Sequence, residues 1–157
     1  MLNYQLPEPR FEKLFRMEVL LDEAWPLGNI GTGYSEIVAV KGGSFSGTIN
    51  GSIVDFGGDW GLLHSGCINV LDAKYLLKTD DGELISTACK GYLMMDMETM
   101  KKGSNGEFIS PSDYYFRVNV QFTTGADKYK WLNSVVAFAV TMITPEGNVC
   151  LDVYQLK

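Results

Sequence analysis

Tyr114-Tyr115-Phe116-Arg117-Val118-Asn119-Val120-Gln121-Phe122-Thr123 is the stretch that decides the fold. Tyr114, Phe116, Val118, Val120 and Phe122 share one face, and Tyr115, Arg117, Asn119, Gln121 and Thr123 share the other. Successive side chains of a strand point to opposite faces, so this period of two describes a half-buried β-strand. The same period recurs on both sides of it. Phe11 to Asp22 alternates with only Lys13 and two leucines off pattern. Ile37 to Val40, Thr48 to Val54, Cys67 to Lys78, Glu83 to Lys90, Trp131 to Ile143 and Val149 to Leu156 are further β-like runs. Thr79-Asp80-Asp81-Gly82 and Pro145-Glu146-Gly147-Asn148 carry turn residues between such runs and read as hairpin loops.

Helical signal is thin. Met94 to Lys102 holds good helix formers and stops at Gly103, and Asp127 to Lys130 suits one short turn. Seven of the 17 glycines fall between Gly42 and Gly61, where bulges and tight corners of a coiled sheet would need them. Seven or eight strands at this spacing make a barrel or a sandwich, and a closed barrel removes the edges that long strands leave open. The expectation is all-β: an antiparallel meander β-barrel of about eight strands with one or two short helical turns. Residues 1–10 form an N-terminal extension, and residues 11–157 a single barrel domain.

Hydrophobic residues make up 46% and charged residues 20%, which excludes a disordered chain. A net charge of -6 argues against a nucleic-acid partner. The first ten residues lack a basic segment followed by an apolar run, and no apolar stretch is long enough to span a bilayer as a helix. Cys67, Cys89 and Cys150 are odd in number and do not form a disulfide framework. These features lead to an expected reduced, cytoplasmic protein with no membrane partner. Val135-Val136-Ala137-Phe138-Ala139-Val140 is apolar on both faces, so a cover is expected over its outside. Either the helix at Met94 to Lys102 or a second subunit, making a homo-oligomer, would supply it.

Several motifs fail on inspection. Gly43-Ser44-Phe45-Ser46-Gly47 has Phe45 where a nucleophile elbow needs serine. Gly42 to Thr48 lacks the lysine of a phosphate loop, and Gly28 to Gly33 has the wrong glycine spacing for a dinucleotide site. A zinc site needs three or four ligands, and one histidine, His64, with three scattered cysteines does not make one; no metal or cofactor is expected.

The polar residues set into strands are more informative. Asp72 lies between Leu71 and Ala73, where aspartate is depleted and, if inward, must be paired. Arg117 is its expected partner. Asp59-Trp60 follows two glycines and reads as a carboxylate and an indole at a cavity mouth, or as a turn with a hydrophobic plug. Tyr75, Tyr115, Trp131, Asn133, Asp152 and Tyr154 would complete a polar, aromatic-lined lumen. Such a lumen suits an anionic or aromatic small molecule. Asp72 or Asp59 would transfer protons and Arg117 would hold an enolate or carboxylate in a cofactor-free isomerase or cyclase. The alternative is a non-catalytic binding or oligomeric scaffold barrel with a filled interior. The alternation itself opposes Arg117 in the lumen, because the apolar face of its strand lies opposite.

The chain resembles a bacterial family catalogued as domain of unknown function 3237. Gly42-Gly43-Ser44-Phe45-Ser46-Gly47, Gly57-Gly58-Asp59-Trp60, Leu71-Asp72-Ala73-Lys74-Tyr75, Thr79-Asp80-Asp81-Gly82, Tyr115-Phe116-Arg117, Tyr129-Lys130-Trp131-Leu132-Asn133 and Asp152-Val153-Tyr154 follow the family's order. The resemblance runs from about residue 11 to the C-terminus and implies a small soluble β-barrel. The family often carries arginines where this chain has Cys89-Lys90-Gly91-Tyr92-Leu93.

Overall fold

A computed structural model describes residues 4–65 and 67–157. Eight antiparallel strands close into a barrel in sequence order, with the last strand paired to the first. They are β1 (Phe11–Asn29), β2 (Tyr34–Gly47), β3 (Gly51–His64), β4 (Ile68–Thr79), β5 (Leu84–Met94), β6 (Tyr115–Thr123), β7 (Ala137–Ile143) and β8 (Val149–Leu156). One helix, α1 (Met97–Ser104), follows β5, and a 3-10 turn at Lys130–Ser134 precedes β7. The expected barrel, its meander order and both hairpin loops are therefore present.

β2 and β3 run well beyond the stretches their alternation marks, because bulges interrupt the period of two. On β2 the inward face passes from Val40 to Gly43, and on β3 from Ile53 to Gly57. The three-residue step on β2 changes which parity faces inward, whereas on β3 the step is four residues against two on β4, so the odd positions stay inward while the register slips by two. Gly43 has φ +139, and a Cβ there would lie 2.0 Å from the Glu18 carbonyl oxygen. Only glycine allows that approach of two strands. Trp131 to Asn133 belongs to the 3-10 turn rather than to β7, and α1 begins three residues later than the helix-forming run. Asp96 caps α1, its carboxylate accepting the Thr99 N–H at 2.7 Å.

The two ends of the lumen differ. One end is packed solid by Leu14, Phe15, Phe45, Leu77, Ile85 and Phe122, with Leu132 of the 3-10 turn over it. Full burial of each such side chain contributes about 1.5–3 kcal/mol. That end is clasped by Asp81, which accepts from Thr79, Lys128 and the Tyr129 hydroxyl. Asn133 fastens the same region through paired bonds to the Thr124 N–H and carbonyl, each 2.9 Å. Tyr34 at the start of β2, Leu63 near the end of β3, Cys67, and Thr144 and Pro145 after β7, together with the segment carrying α1, surround the other end, which is open.

The outer cover expected over 135–140 is not α1, which sits at the open end. Phe138 is instead covered from within the chain by Phe11, edge-on at 5.1 Å, and Tyr154, stacked at 5.6 Å. Val136 stays 67% exposed.

Candidate functional site

The open half of the lumen holds two cavities, one above the other. The upper one, about 510 Å³, lies between the barrel mouth and the segment of α1 and residues 105–109. Tyr34, Glu36, Asn69, Leu93, Tyr114 and Ile143 form much of its wall, and Met100, Phe108 and Ile109 roof it. The lower one, about 70 Å³, is lined by Val38, Asp59, Leu71, Tyr75, Cys89 and Thr141, among others. The second cavity lies two residues further along the walls: Glu36 to Val38, Gly61 to Asp59, Asn69 to Leu71, Ile143 to Thr141. Two residues of strand are about 7 Å, so the lower cavity is the floor of the upper. Gly61 stands inward at the junction on β3 with no side chain to close it.

Asp59 is the carboxyl group of that floor. Between the pairs Asp59↔Ala73 and Leu62↔Val70 the β3–β4 ladder is interrupted. The Asp72 N–H left over there donates to Asp59 Oδ1 at 2.9 Å, which meets the requirement that a buried amide find an acceptor. Burial among apolar walls nevertheless dominates and pushes the Asp59 carboxyl up to about 6, with the negative charges of Asp72 and Glu36 adding to the effect. Tyr75 and Cys89 are buried beside it, and the same loss of water raises both, the Cys89 thiol to about 12. Thr141 is 2% exposed, and its Oγ1 has no hydrogen-bond partner among the described residues. At the mouth, the Tyr114 hydroxyl accepts the Ile143 N–H at 2.9 Å, which fixes its place in the wall. Among the described residues lining either cavity there is no lysine, arginine or histidine.

Of the residues singled out in the sequence, Asp59 and Tyr75 face the lumen. The rest do not. Asp72 points outward and pairs with Lys90 at 3.3 Å, not with Arg117. Arg117 lies on the outer face of β6, bonded to the Phe116 carbonyl and resting on the Tyr115 ring. The alternation of β6 is obeyed, and the inward pair expected of Asp72 and Arg117 is not formed. Trp60 follows Asp59 directly and so faces the opposite way, 49% exposed. Asp152 is outside, held by Arg16 at 2.7 and 2.8 Å and by Lys13 at 2.7 Å, and these cations bring its carboxyl down to about 2. Tyr154 stacks on Phe138 outside, Tyr115 and Trp131 are exposed, and Asn133 serves as the loop fastener described above. Glu36, Tyr114 and Thr141 are lumen residues that the sequence reasoning missed. Thr141 had a signal: it is the polar member of the inward series Ala137, Ala139, Thr141, Ile143.

A closed eight-stranded meander barrel with one filled half and one cavity-bearing half is the class of protein that these features define. The chain belongs to the family described as Protein of unknown function (DUF3237), whose model matches residues 9–156. A UPF0311 protein of Rhodopseudomonas palustris is 30% identical over 144 residues, 91% of this chain and 94% of that protein. A solved β-barrel-like protein of Acinetobacter baumannii is 37% identical with a TM-score of 0.86, covering 99% of this chain and 100% of its own. An enzyme from Penicillium herquei has a TM-score of 0.75 at 21% identity, covering 99% of this chain and 100% of its own, a likeness of fold alone.

Proposed function

We propose that this barrel binds a small, largely apolar organic molecule in its open half and moves a proton on it through Asp59, without a cofactor. The observation that carries the reading is a carboxyl at the floor of an accessible cavity, held at about 6 by burial. A group titrating there is present in both forms near neutral pH, so it can give a proton to one atom of the ligand and take one from another. Such an exchange conserves atoms and charge and corresponds to isomerisation or cyclisation. The ligand favoured by an acidic lining without basic residues is uncharged, in place of the anion that an inward Arg117 would have held. The Penicillium herquei enzyme supports the reading only in that a barrel of this architecture can be catalytic. Free thiols at Cys67, Cys89 and Cys150 suit a reducing compartment such as the cytoplasm, and no helix among the described residues is long and apolar enough to cross a membrane.

The test uses Gly61→Leu, which fills the junction of the two cavities. A Cβ at Gly61 meets nothing closer than 3.5 Å, so the backbone tolerates the change. In a thermal-shift screen of uncharged organic compounds, binders should stabilise the wild type and not Gly61→Leu. Deuterium uptake by a binder in D2O, followed by NMR, should then occur with the wild type and be lost in Asp59→Asn. Binding without any uptake would identify a non-catalytic binding barrel. Equal stabilisation of wild type and Gly61→Leu would place binding outside the lumen.

A further inference from the structure

Resting on that reading of the lumen, we infer that the lower cavity is a receptor for an uncharged carbonyl oxygen, with Thr141 as the residue that selects it. Thr141 and Asp59 project into the same small cavity from β7 and β3. The Thr141 hydroxyl is fully buried and unpartnered among the described residues. A buried hydroxyl with no partner is destabilising. Thr87 is another such hydroxyl among the described residues, but of the two only Thr141 lines a cavity from which a ligand could supply the bond. Its neighbours in the cavity are apolar apart from Asp59, Tyr75 and Cys89. A hydroxyl free to donate asks for an acceptor on the ligand. A carboxylate would also accept, but it would have to enter past Glu36 and settle beside Asp59, with no lining cation to compensate its charge. A ketone, aldehyde or ester presents the acceptor without the charge. At about 70 Å³ the cavity has room for the carbonyl end only, and the body of the ligand occupies the chamber above.

Two isosteric probes separate these cases: 2-acetonaphthone and 2-naphthoate differ in a methyl group against a carboxylate oxygen. Calorimetric titration at pH 8 should show the ketone binding at least ten-fold more tightly than the carboxylate. Thr141→Val keeps the side-chain shape and removes the hydroxyl. It should weaken ketone binding several-fold, up to about ten-fold, the range of one hydrogen bond. In the same variant the ligand-free melting temperature should stay level or rise, because an unpartnered buried hydroxyl is gone. A purely structural threonine would not produce that opposition. Naphthoate binding as tightly as the ketone, or Thr141→Val binding the ketone like the wild type, would overturn the carbonyl assignment and leave lumen binding standing. Failure of both probes to bind, or ketone binding untouched by Gly61→Leu, would overturn the lumen reading along with it.

Discussion

Replacing Asp59 by asparagine should make the protein more stable at pH 8 and leave it nearly unchanged at pH 4. The carboxyl is raised from its ordinary 3.8 to about 6 in the folded chain, first by burial and then by the charges of Asp72 and Glu36. The folded state therefore holds a proton that the unfolded state releases between those two values. Stability from this group is complete below pH 3.8 and is lost as pH rises through 6. At ~1.4 kcal/mol for each pH unit, the loss above pH 6 amounts to about 3 kcal/mol. The substituted amide carries no charge and keeps an oxygen to accept the Asp72 N–H, so most of that loss should be recovered. Tyr75 and Cys89 lie beside the group, but burial raises both, so neither ionises below pH 8. Urea unfolding of both proteins at pH 4 and pH 8 measures the difference. A variant about 2–3 kcal/mol more stable at pH 8 and level at pH 4 is expected. Equal destabilisation at both pH values would refute the argument, since it would mean that Asp59 is ionised and well solvated in the fold.

Three further outcomes follow from the same geometry. Gly43→Ala sets a Cβ about 2.0 Å from the Glu18 carbonyl, at a φ of +139, and should cost several kcal/mol in a denaturation experiment. Asp152→Asn breaks the contacts to Arg16 and Lys13; because Arg16 is half exposed, a loss of only about 1 kcal/mol is expected at pH 7. The lowered carboxyl makes that contribution present above pH 3.8 and lost as pH falls through about 2, so wild type and variant should converge in acid. Self-association through the outer face of β7 and the residue before it, where Val140 and Val136 are exposed, should be abolished by Val136→Glu, and a wild type sedimenting as a monomer at micromolar concentration would end that expectation.

The strands are legible in the sequence where one face is buried and the other wet. β6 is the clearest case: every second residue from Phe116 to Phe122 is buried, as its alternation requires. β2 and β3 are legible only in pieces: a bulge at Gly42-Gly43 exchanges inside for outside on β2, and on β3 the register slips by two between Ile53 and Gly57 while the inward positions Gly57 and Gly61 carry no side chain. Glu36 escapes notice for a related reason: Ile37, Val38, Ala39 and Val40 are apolar on both faces, so the run gives no sign of which parity faces the lumen. Asp72 misleads because a strand aspartate can point outward and pair with a cation on the next strand, here Lys90 across the β4–β5 ladder at 3.3 Å. The aromatic and polar residues of Tyr129 to Asn133 look like lining, whereas Tyr129 and Asn133 clasp and fasten the closed end. Asp59 is recoverable as the carboxylate that directly follows Gly57 and Gly58, although it sits within strand β3 and not in a turn. Its depth in the lumen depends on the bulge before it, which no local pattern reveals.

The most direct measurement is the titration of the Asp59 carboxyl itself, by carbon NMR of protein labelled at aspartate side chains and assigned with Asp59→Asn. A midpoint near 6 is expected for the free protein, moving further up when 2-acetonaphthone displaces water from the floor of the cavity. A midpoint near 4 that the ketone leaves in place would show a solvated carboxylate remote from any ligand, and would contradict the assignment of the open half of the barrel as a proton-transfer site.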